Sequence, residues 1–349
     1  MKKVICVISS LIITASLLAG CGASSAPAPT AAPAPTPTAA AVETQAAETT
    51  APAAGYKVAI VQQLDHSSLD EIRTAVAAEL QAKADAAGIG LTISEFNGQN
   101  DPTVLSQIGA QVMDDNVDLI IPIATLAAQT MVTAAEGTDT SIVYAAISDP
   151  ESAGLTGIDN VTGTSDALNT PFILDMMLAA NPDIKTVGLL YSNSEANSTM
   201  PIAEAKAYLD SKGIAYLEKT GNSTDEIIAA TNSLVGRVDA VFTPTDNVVM
   251  AAEVAVAEIL NEAGIPHYTG ADSFVQAGGF TTCGVNYTEL GTYTADMAFD
   301  ILTGGAVPEF HVMDGGIITV NTETADALGI DYSVFNDMAN TVVEVTTAE

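Results

Sequence analysis

One feature constrains the fold of this chain more than any other: a strand-and-helix pattern runs through it from about residue 56. Short apolar runs rich in β-branched residues occur at 57–61, 91–96 and 119–123. Segments with helical spacing of apolar residues separate them, at 69–86 and 104–113. Strands that alternate with helices of this length predict βαβ units and a parallel sheet.

The pattern then occurs a second time in the same order. Three segments have counterparts in the second half: Lys57–Val61 with Lys185–Leu190, Val117–Pro122 with Val238–Pro244, and Ile142–Tyr144 with Ile265–Tyr268. All α/β strands look somewhat alike, but the shared order and the nearly constant spacing favour a structural repeat. We therefore expect an α/β fold of two similar doubly wound parallel-sheet lobes.

The first 21 residues are typical of a bacterial export signal. Lys2 and Lys3 precede an apolar run from Val4 to Leu18 that is too short to span a membrane. Leu18-Ala-Gly-Cys21 follows and resembles the lipobox, whose cysteine is acylated before the peptidase cuts in front of it. We expect residues 1–20 to be a removed signal peptide. Cys21 would then carry a lipid, palmitate included, that anchors the exported protein on the outer face of the cell membrane.

Composition, charge and cysteine content characterise the linker and exclude a nucleic-acid partner and a disulfide. Ala, Pro, Thr and Ser dominate residues 22–55, which bury too little apolar surface to fold, so 21–55 is predicted to be a lipidated, disordered linker. The formal charge of −33 and the lack of a basic cluster exclude a nucleic-acid partner. Cys283 is the one cysteine after Cys21, so we expect no intramolecular disulfide within the folded part.

The rest of the chain is long enough for two lobes. We assign residues 56–165 plus about 287–315 to lobe 1, and 166–286 plus about 316–349 to lobe 2. Ligand sites in such folds lie at the carboxyl ends of the strands.

Polar residues follow the predicted strands at those ends. The candidate ligand-binding residues are Gln63, His66, Thr125, Ser148 and Asp149 in the first half, and Ser194, Glu195, Asn197, Ser198, Asp246, Asn247, Asp272 and Phe274 in the second. Serine, aspartate and asparagine are also the preferred helix N-caps, which is the alternative explanation for each of them. For His66, ligand contact and loop capping are equally good interpretations.

The inventory of charges narrows the ligand. The arginines, Arg73 and Arg237, lie outside the predicted cleft loops, so a carboxylate would be held by helix N-terminal N–H groups and by the hydroxyls of Ser194 and Ser198. We expect Asp246 to accept an ammonium group, with Glu195 as the second candidate. These groups suit a zwitterion such as an amino acid, although sugars and nucleosides also bind to Asp and Asn.

Evidence for catalysis is thin. The chain has no nucleophile elbow, phosphate loop, HExxH or CxxC motif. His66, His267 and His311 are scattered in sequence, and His267 has the setting of a structural residue in a strand. We expect no catalytic residues, no metal and no cofactor.

Several short segments, each weak alone, occur in a specific order. They are Gln63-Leu-Asp-His66, Asp118-Leu-Ile-Ile-Pro122, Tyr144-Ala-Ala-Ile-Ser-Asp-Pro150, Asn160-Val-Thr-Gly163 with Ser165-Asp166, Gly188-Leu-Leu-Tyr191, Asp246-Asn247 and Leu290-Gly291. Because these segments occur in this order and at this spacing, residues 56–329 resemble the ABC transporter substrate-binding family, which is typified by tryptophan and tyrosine binders. The sequence departs from that family at Ala124-Thr-Leu126, where Gly-Thr-Pro is expected, and at Gly284-Val-Asn-Tyr287, where an acid is expected before the tyrosine.

The resemblance implies a type I periplasmic-binding fold, in which crossing strands join two lobes that close on a ligand. It also implies an importer with permease and ATPase partners, and an aromatic L-amino acid as the small-molecule ligand. Three alternatives stay open: a nucleoside-binding lipoprotein that stacks a base on Phe274, Tyr144 or Tyr191, a binding protein that serves only in sensing, and an enzyme on this fold.

Overall fold

Two separate β-sheets organise the structure, a computed structural model that describes residues 55–348. The first sheet contains β1 (Tyr56–Gln62), β2 (Leu91–Asn97), β3 (Leu119–Ile123), β4 (Ser141–Tyr144), β5 (Val161–Ser165) and β11 (His311–Val312). The second contains β6 (Thr186–Tyr191), β7 (Ala215–Thr220), β8 (Ala240–Thr243), β9 (His267–Thr269), β10 (Thr281–Gly284), β12 (Ile317–Asn321) and β13 (Thr341–Val345). The predicted signal peptide, Cys21 and nearly all of the predicted linker lie outside the described residues.

The two sheets repeat one strand order. The first runs β11-β5-β4-β3-β1-β2 and the second β13-β12-β10-β9-β8-β6-β7, so the five leading strands of each lobe share the order 2-1-3-4-5. Neighbours within each set of five pair in parallel. The predicted α/β fold of two similar parallel-sheet lobes is therefore confirmed.

One pairing differs from the expected parallel arrangement. β12 runs antiparallel to β10. The chain leaves the first sheet at the carboxyl end of β11 and enters the second through residues 313–316. The carboxyl edges of both sheets face the same pocket. A chain that leaves the first sheet at this edge and crosses directly therefore enters the second sheet at its carboxyl edge and runs antiparallel to the neighbouring strand β10.

The helices cover the faces of the sheets. Their bounds are α1 Ser67–Ala87, α2 Pro102–Asp114, α3 Thr125–Ala134, α4 Thr170–Ala180, α5 Thr199–Lys212, α6 Thr224–Asn232, α7 Asn247–Met250, α8 Glu253–Glu262, α9 Asp272–Gln276, α10 Tyr287–Leu302 and α11 Thr322–Leu328. Short 3-10 turns lie at Ala196–Ser198 and Ser333–Asp337. Among residues 55–348, no helix has the length and apolar character that crossing a bilayer requires.

Strand β1 is apolar on both faces because both of its faces are buried. Val58, Ala59, Ile60 and Val61 of β1 are each at most 1% exposed, which explains why the sequence there is a continuous apolar run rather than an alternating one. β1 is thereby packed on both faces up to the residues that lead into the loop at its carboxyl end.

Helix α10 returns the chain to the first sheet and packs along α1. Gly291 allows the close approach: a Cβ there would lie 2.7 Å from the Cβ of Ala75 and 2.8 Å from the carbonyl oxygen of Ile72. The N-terminus of α10, capped by Asn286, thus lies near the carboxyl ends of the strands, where Tyr287 reaches the pocket.

Candidate ligand-binding cleft

Loops from the carboxyl edges of both sheets enclose one pocket, whose cavity volume is about 30 Å³. Its first-sheet lining is His66, Ser68, Leu69, Ala124, Thr125, Ala146, Ser148 and Asp166; its second-sheet lining is Asn197, Thr245, Asp246, Asn247, Met250, Ala271, Ser273 and Phe274, with Tyr287 from α10. In a sheet of order 2-1-3-4-5, the crevice between strands 1 and 3 is the usual ligand position. In the first sheet, His66 and Thr125 lie there.

Polar contacts hold the lobes together around this pocket. Among the described residues, four side-chain hydrogen bonds join the loops of the first sheet to those of the second: Gln63–Glu195 at 3.1 Å, Ser68–Asp272 at 2.9 Å, Ser148–Thr245 at 2.9 Å and His66–Asn247 at 3.4 Å. The structure therefore shows the lobes closed.

Asp166 is a buried carboxylate in this pocket. It is 6% exposed; its Oδ1 accepts a hydrogen bond from the Ser148 hydroxyl at 3.1 Å, and its Oδ2 accepts one from the Tyr287 hydroxyl at 3.3 Å. Within residues 55–348 it makes no ion pair. Burial raises the pKa of Asp166. A buried carboxylate that has hydroxyl partners but no cation can gain a strong interaction from a cationic ligand group.

The N-terminus of α3 faces the same pocket. Thr125 is the first residue of this ten-residue helix and is 3% exposed. Residue 124 supplies no side-chain cap, and the Leu126 amide donates to Gln63 Oε1 at 3.0 Å. Gln63, which lies outside the pocket lining, thus orients the start of the helix. The Thr125 hydroxyl and the helix dipole at this end favour an anionic group.

Two alanines beside this helix end have strained backbone conformations. Ala124 has φ 73° and ψ 163°, a region nearly exclusive to glycine, and Ala146, which also lines the pocket, has φ 56°. At residue 124 the sequence departs from the family's glycine, yet the backbone keeps the conformation that a glycine adopts easily.

Asp246 lines the pocket but is already occupied by its own lobe. It is fully buried; its Oδ1 accepts from the Val248 and Val249 amides at 3.1 and 3.0 Å, and its Oδ2 accepts from the Ser192 amide and the Ser198 hydroxyl, both at 2.7 Å. The two valine amides make Asp246 the N-cap of α7, and the bonds from Ser192 and Ser198 attach the loop after β6 to it. Little hydrogen-bonding capacity is left for a ligand.

Glu195 lies behind the pocket wall rather than in it. Its carboxylate accepts from Gln63 Nε2 at 3.1 Å and from Asn247 Nδ2 at 2.8 Å, and the residue is 6% exposed. Burial, together with the negative charge of Asp246, raises the pKa of Glu195 to about 7. Glu195 therefore links the two lobes and titrates near neutral pH.

Two buried polar atoms of the lining have no hydrogen-bond partner among the described residues. They are Nδ1 of His66 and Oγ of Ser273. The His66 side chain makes no cap bond to α1, so loop capping does not account for it. Burial lowers the pKa of His66 to about 4, so its ring is neutral at physiological pH. Apolar groups of Leu69, Met250 and Phe274 complete this part of the wall.

The structure brings seven of the sequence-predicted site residues to the pocket lining: His66, Thr125, Ser148, Asn197, Asp246, Asn247 and Phe274. The other six, Gln63, Asp149, Ser194, Glu195, Ser198 and Asp272, lie outside that lining. Ser194 is exposed and bonds to Ser192 Oγ at 2.7 Å, while Asp149 accepts from the Ser152 amide at 3.0 Å. Gln63, Glu195 and Asp272 contact the opposite lobe instead.

Sequence reasoning missed Asp166, Ser273, Thr245 and Tyr287 as lining residues. Asp166 directly follows β5, so the rule that placed candidates at strand ends applied to it as well. Of the aromatic residues considered for base stacking, Phe274 lines the pocket, whereas Tyr144 and Tyr191 do not. His267 is fully buried between Glu253 and Thr243, at 2.9 and 2.8 Å, which confirms its structural role.

Comparisons with known proteins match this architecture. The family described as ABC transporter substrate binding protein matches residues 57–338. A tyrosine-binding protein of Clostridioides difficile is 28% identical over 334 residues, which cover 94% of this chain and 92% of that protein.

Two solved structures are similar over most of this chain. A Streptococcus pneumonia ABC domain in complex with L-Trp has a TM-score of 0.76 at 29% identity, covering 83% of this chain and all of that one. The ligand-free, open structure of a Clostridium difficile substrate-binding protein with adhesive properties has a TM-score of 0.64 at 31% identity, covering 84% of this chain and all of that one.

Proposed function

This chain belongs to the ABC transporter substrate-binding protein family, and on that premise we propose that it binds an aromatic L-amino acid between its lobes and delivers it to an ABC importer. The observation that carries the proposal is Asp166, a carboxylate buried in the pocket without a cation. The ligand's ammonium group supplies the missing charge and bonds to Asp166, next to the hydroxyls of Ser148 and Tyr287.

The ligand's carboxylate lies at the N-terminus of α3. Thr125 offers its hydroxyl there, and the helix dipole favours a negative charge. The described lining contains no lysine or arginine, so neutral donors bind the ligand's carboxylate, a task that an arginine guanidinium performs in other proteins. We therefore propose the head group at Asp166 and Thr125 instead of at Asp246 and the Ser194–Ser198 loop.

The side chain of the ligand lies along the apolar part of the lining. Leu69, Met250 and Phe274 offer a surface for a flat ring. Relatives of this chain include a tyrosine-binding protein and a domain in complex with L-Trp, which supports an aromatic ligand. A nucleoside fits less well. Of the three aromatic residues considered for stacking a base, Phe274 lines the pocket and the two tyrosines do not.

A thermal-shift panel of the twenty amino acids and the common nucleosides tests the ligand class. A ligand at a hundredfold excess over its Kd stabilises the folded protein by about 2.7 kcal/mol, which raises the melting temperature by several degrees. We expect the shift with aromatic L-amino acids. A shift with nucleosides and with none of the amino acids would refute the proposal.

Asp166→Asn tests the head-group assignment. The substitution keeps the shape and removes the charge, so affinity for L-tyrosine, measured by calorimetric titration, should fall about ten- to a hundredfold. The folded protein should melt no lower, because the variant removes a carboxylate that burial disfavours. Asp149→Asn, on the same side of the cleft but outside the pocket, is the matched control and should bind normally. Unchanged affinity in Asp166→Asn would place the ammonium elsewhere.

We further propose that the protein is exported, lipid-anchored through Cys21 and partnered by a permease and an ATPase. The apolar run at Val4–Leu18, the Leu-Ala-Gly-Cys ending and the family membership support this. Mass spectrometry of the N-terminal peptide should find a diacylglyceryl adduct on Cys21, and Cys21→Ala should abolish it. An unmodified terminus beyond Cys21 would contradict the anchoring.

A further inference from the structure

The strand order separates the two polar ends of the pocket. Asp166 follows β5 and His66 follows β1, and strands β4 and β3 lie between them in the sheet. Three strand spacings of about 4.8 Å separate the two strand ends by about 14 Å. An extended tyrosine spans about such a distance when hydrogen bonds at its ammonium group and at its phenol are included, whereas a short aliphatic amino acid does not.

The far end of the pocket presents two polar groups that the protein leaves unsatisfied. Ser273 is 1% exposed, and its hydroxyl has no partner in the described structure. The same holds for Nδ1 of His66. The two segments are adjacent, because the Ser68 hydroxyl donates to Asp272 Oδ1 at 2.9 Å across the cleft. Leaving buried polar groups unpaired costs free energy, so they signal a ligand group that pairs with them.

Neighbouring hydrogen bonds determine which proton His66 carries. Asn247 donates its Nδ2 to the Glu195 carboxylate at 2.8 Å, so its Oδ1 faces His66 Nε2, 3.4 Å away. An amide oxygen accepts only, so the ring proton lies on Nε2 and Nδ1 presents a lone pair. The subsite therefore offers one acceptor, His66 Nδ1, and one hydroxyl, Ser273 Oγ, that can donate.

We propose that His66 and Ser273 form a specificity subsite for a hydroxyl at the end of the ligand's ring, so that the pocket selects tyrosine over phenylalanine. A phenol donates its proton to His66 Nδ1 and accepts one from Ser273, which satisfies both groups. A phenyl ring satisfies neither. This inference rests on the proposed function, since it requires an aromatic amino acid in the pocket.

The test compares L-tyrosine and L-phenylalanine by calorimetric titration of the full chain. The wild type should prefer tyrosine by at least roughly tenfold, because phenylalanine leaves both buried groups unpaired. Ser273→Ala should lower that preference by roughly two- to tenfold, with most of the change in the tyrosine affinity. His66→Phe, which keeps a flat ring and removes the acceptor, should lower the preference in the same way.

Ser106→Ala is the matched control. Ser106 is exposed on α2, outside the pocket lining, so the variant should leave both affinities and their ratio unchanged. Melting each variant first establishes that it folds; His66→Phe carries the test if Ser273→Ala does not fold.

The outcomes separate the two proposals. Equal affinity for tyrosine and phenylalanine in the wild type, or an unchanged ratio in both variants, overturns the subsite while leaving an aromatic-amino-acid site in place. Failure of every aromatic amino acid to bind overturns the proposed function and the subsite with it.

Discussion

Glu195 makes the stability of this protein depend on pH near neutrality. Burial, with Asp246 adding a negative charge nearby, raises the pKa of Glu195 from its ordinary value of 4.5 to about 7. Between these two values the unfolded chain has lost the proton while the folded protein still holds it. The contribution of Glu195 therefore becomes less favourable as pH rises from about 4.5, and the loss is complete above about 7.

The size of the effect follows from the two pKa values. Linkage gives about 2–3 kcal/mol of folding stability lost through Glu195 between pH 5 and pH 8. Glu195→Gln cannot ionise, so this loss disappears. Imperfect hydrogen bonds to Gln63 and Asn247 lower the unfolding free energy of the variant by an amount that does not depend on pH. This amount cancels when two pH values are compared.

The assay is urea unfolding of the wild type and of Glu195→Gln at pH 5, 6, 7 and 8. We expect the difference in unfolding free energy between variant and wild type to shift by about 2–3 kcal/mol in favour of the variant from pH 5 to pH 8. The exposed Glu258→Gln is the control and should give a profile parallel to the wild type. A Glu195→Gln profile that is also parallel would show that Glu195 does not titrate as its burial implies.

Three further substitutions test the architecture of the cleft and the first lobe. Asp246→Asn should cost about 1–3 kcal/mol in chemical unfolding, because the NH2 group that replaces Oδ2 cannot accept from the Ser192 amide. Calorimetry should find the ligand affinity nearly unchanged, and a ten- to hundredfold loss would restore the ammonium role expected from sequence. Ala124→Gly should raise the melting temperature by relieving about 1–3 kcal/mol of backbone strain at φ 73°, and no rise would mean that the strain is absent. Gly291→Ala should destabilise by about 1–3 kcal/mol in guanidinium unfolding, because its Cβ meets Ala75 at 2.7 Å; a gain from helix propensity would contradict that packing.

The sequence alone determined the frame of this molecule. Strand β1 is apolar without alternation because both of its faces are buried, and the same kind of run at 185–190 predicted a second sheet. Hydrophobic periodicity is local, so it can be read without knowing the tertiary contacts. The rule that loops follow strand ends into a cleft then placed Thr125, Ser148 and Phe274 at the pocket.

The tertiary structure alone decided which of these side chains are free to bind. Asp166 and Asp246 both follow a strand and look alike in sequence, yet Asp246 is saturated by donors that include the Ser192 amide, 54 residues away. Asp166 receives two hydroxyls and no cation. The unpaired state of His66 Nδ1 likewise depends on the position of Asn247 in the other lobe. Whether a polar atom is available to a ligand depends on hydrogen bonds from distant parts of the chain, and no local pattern encodes them.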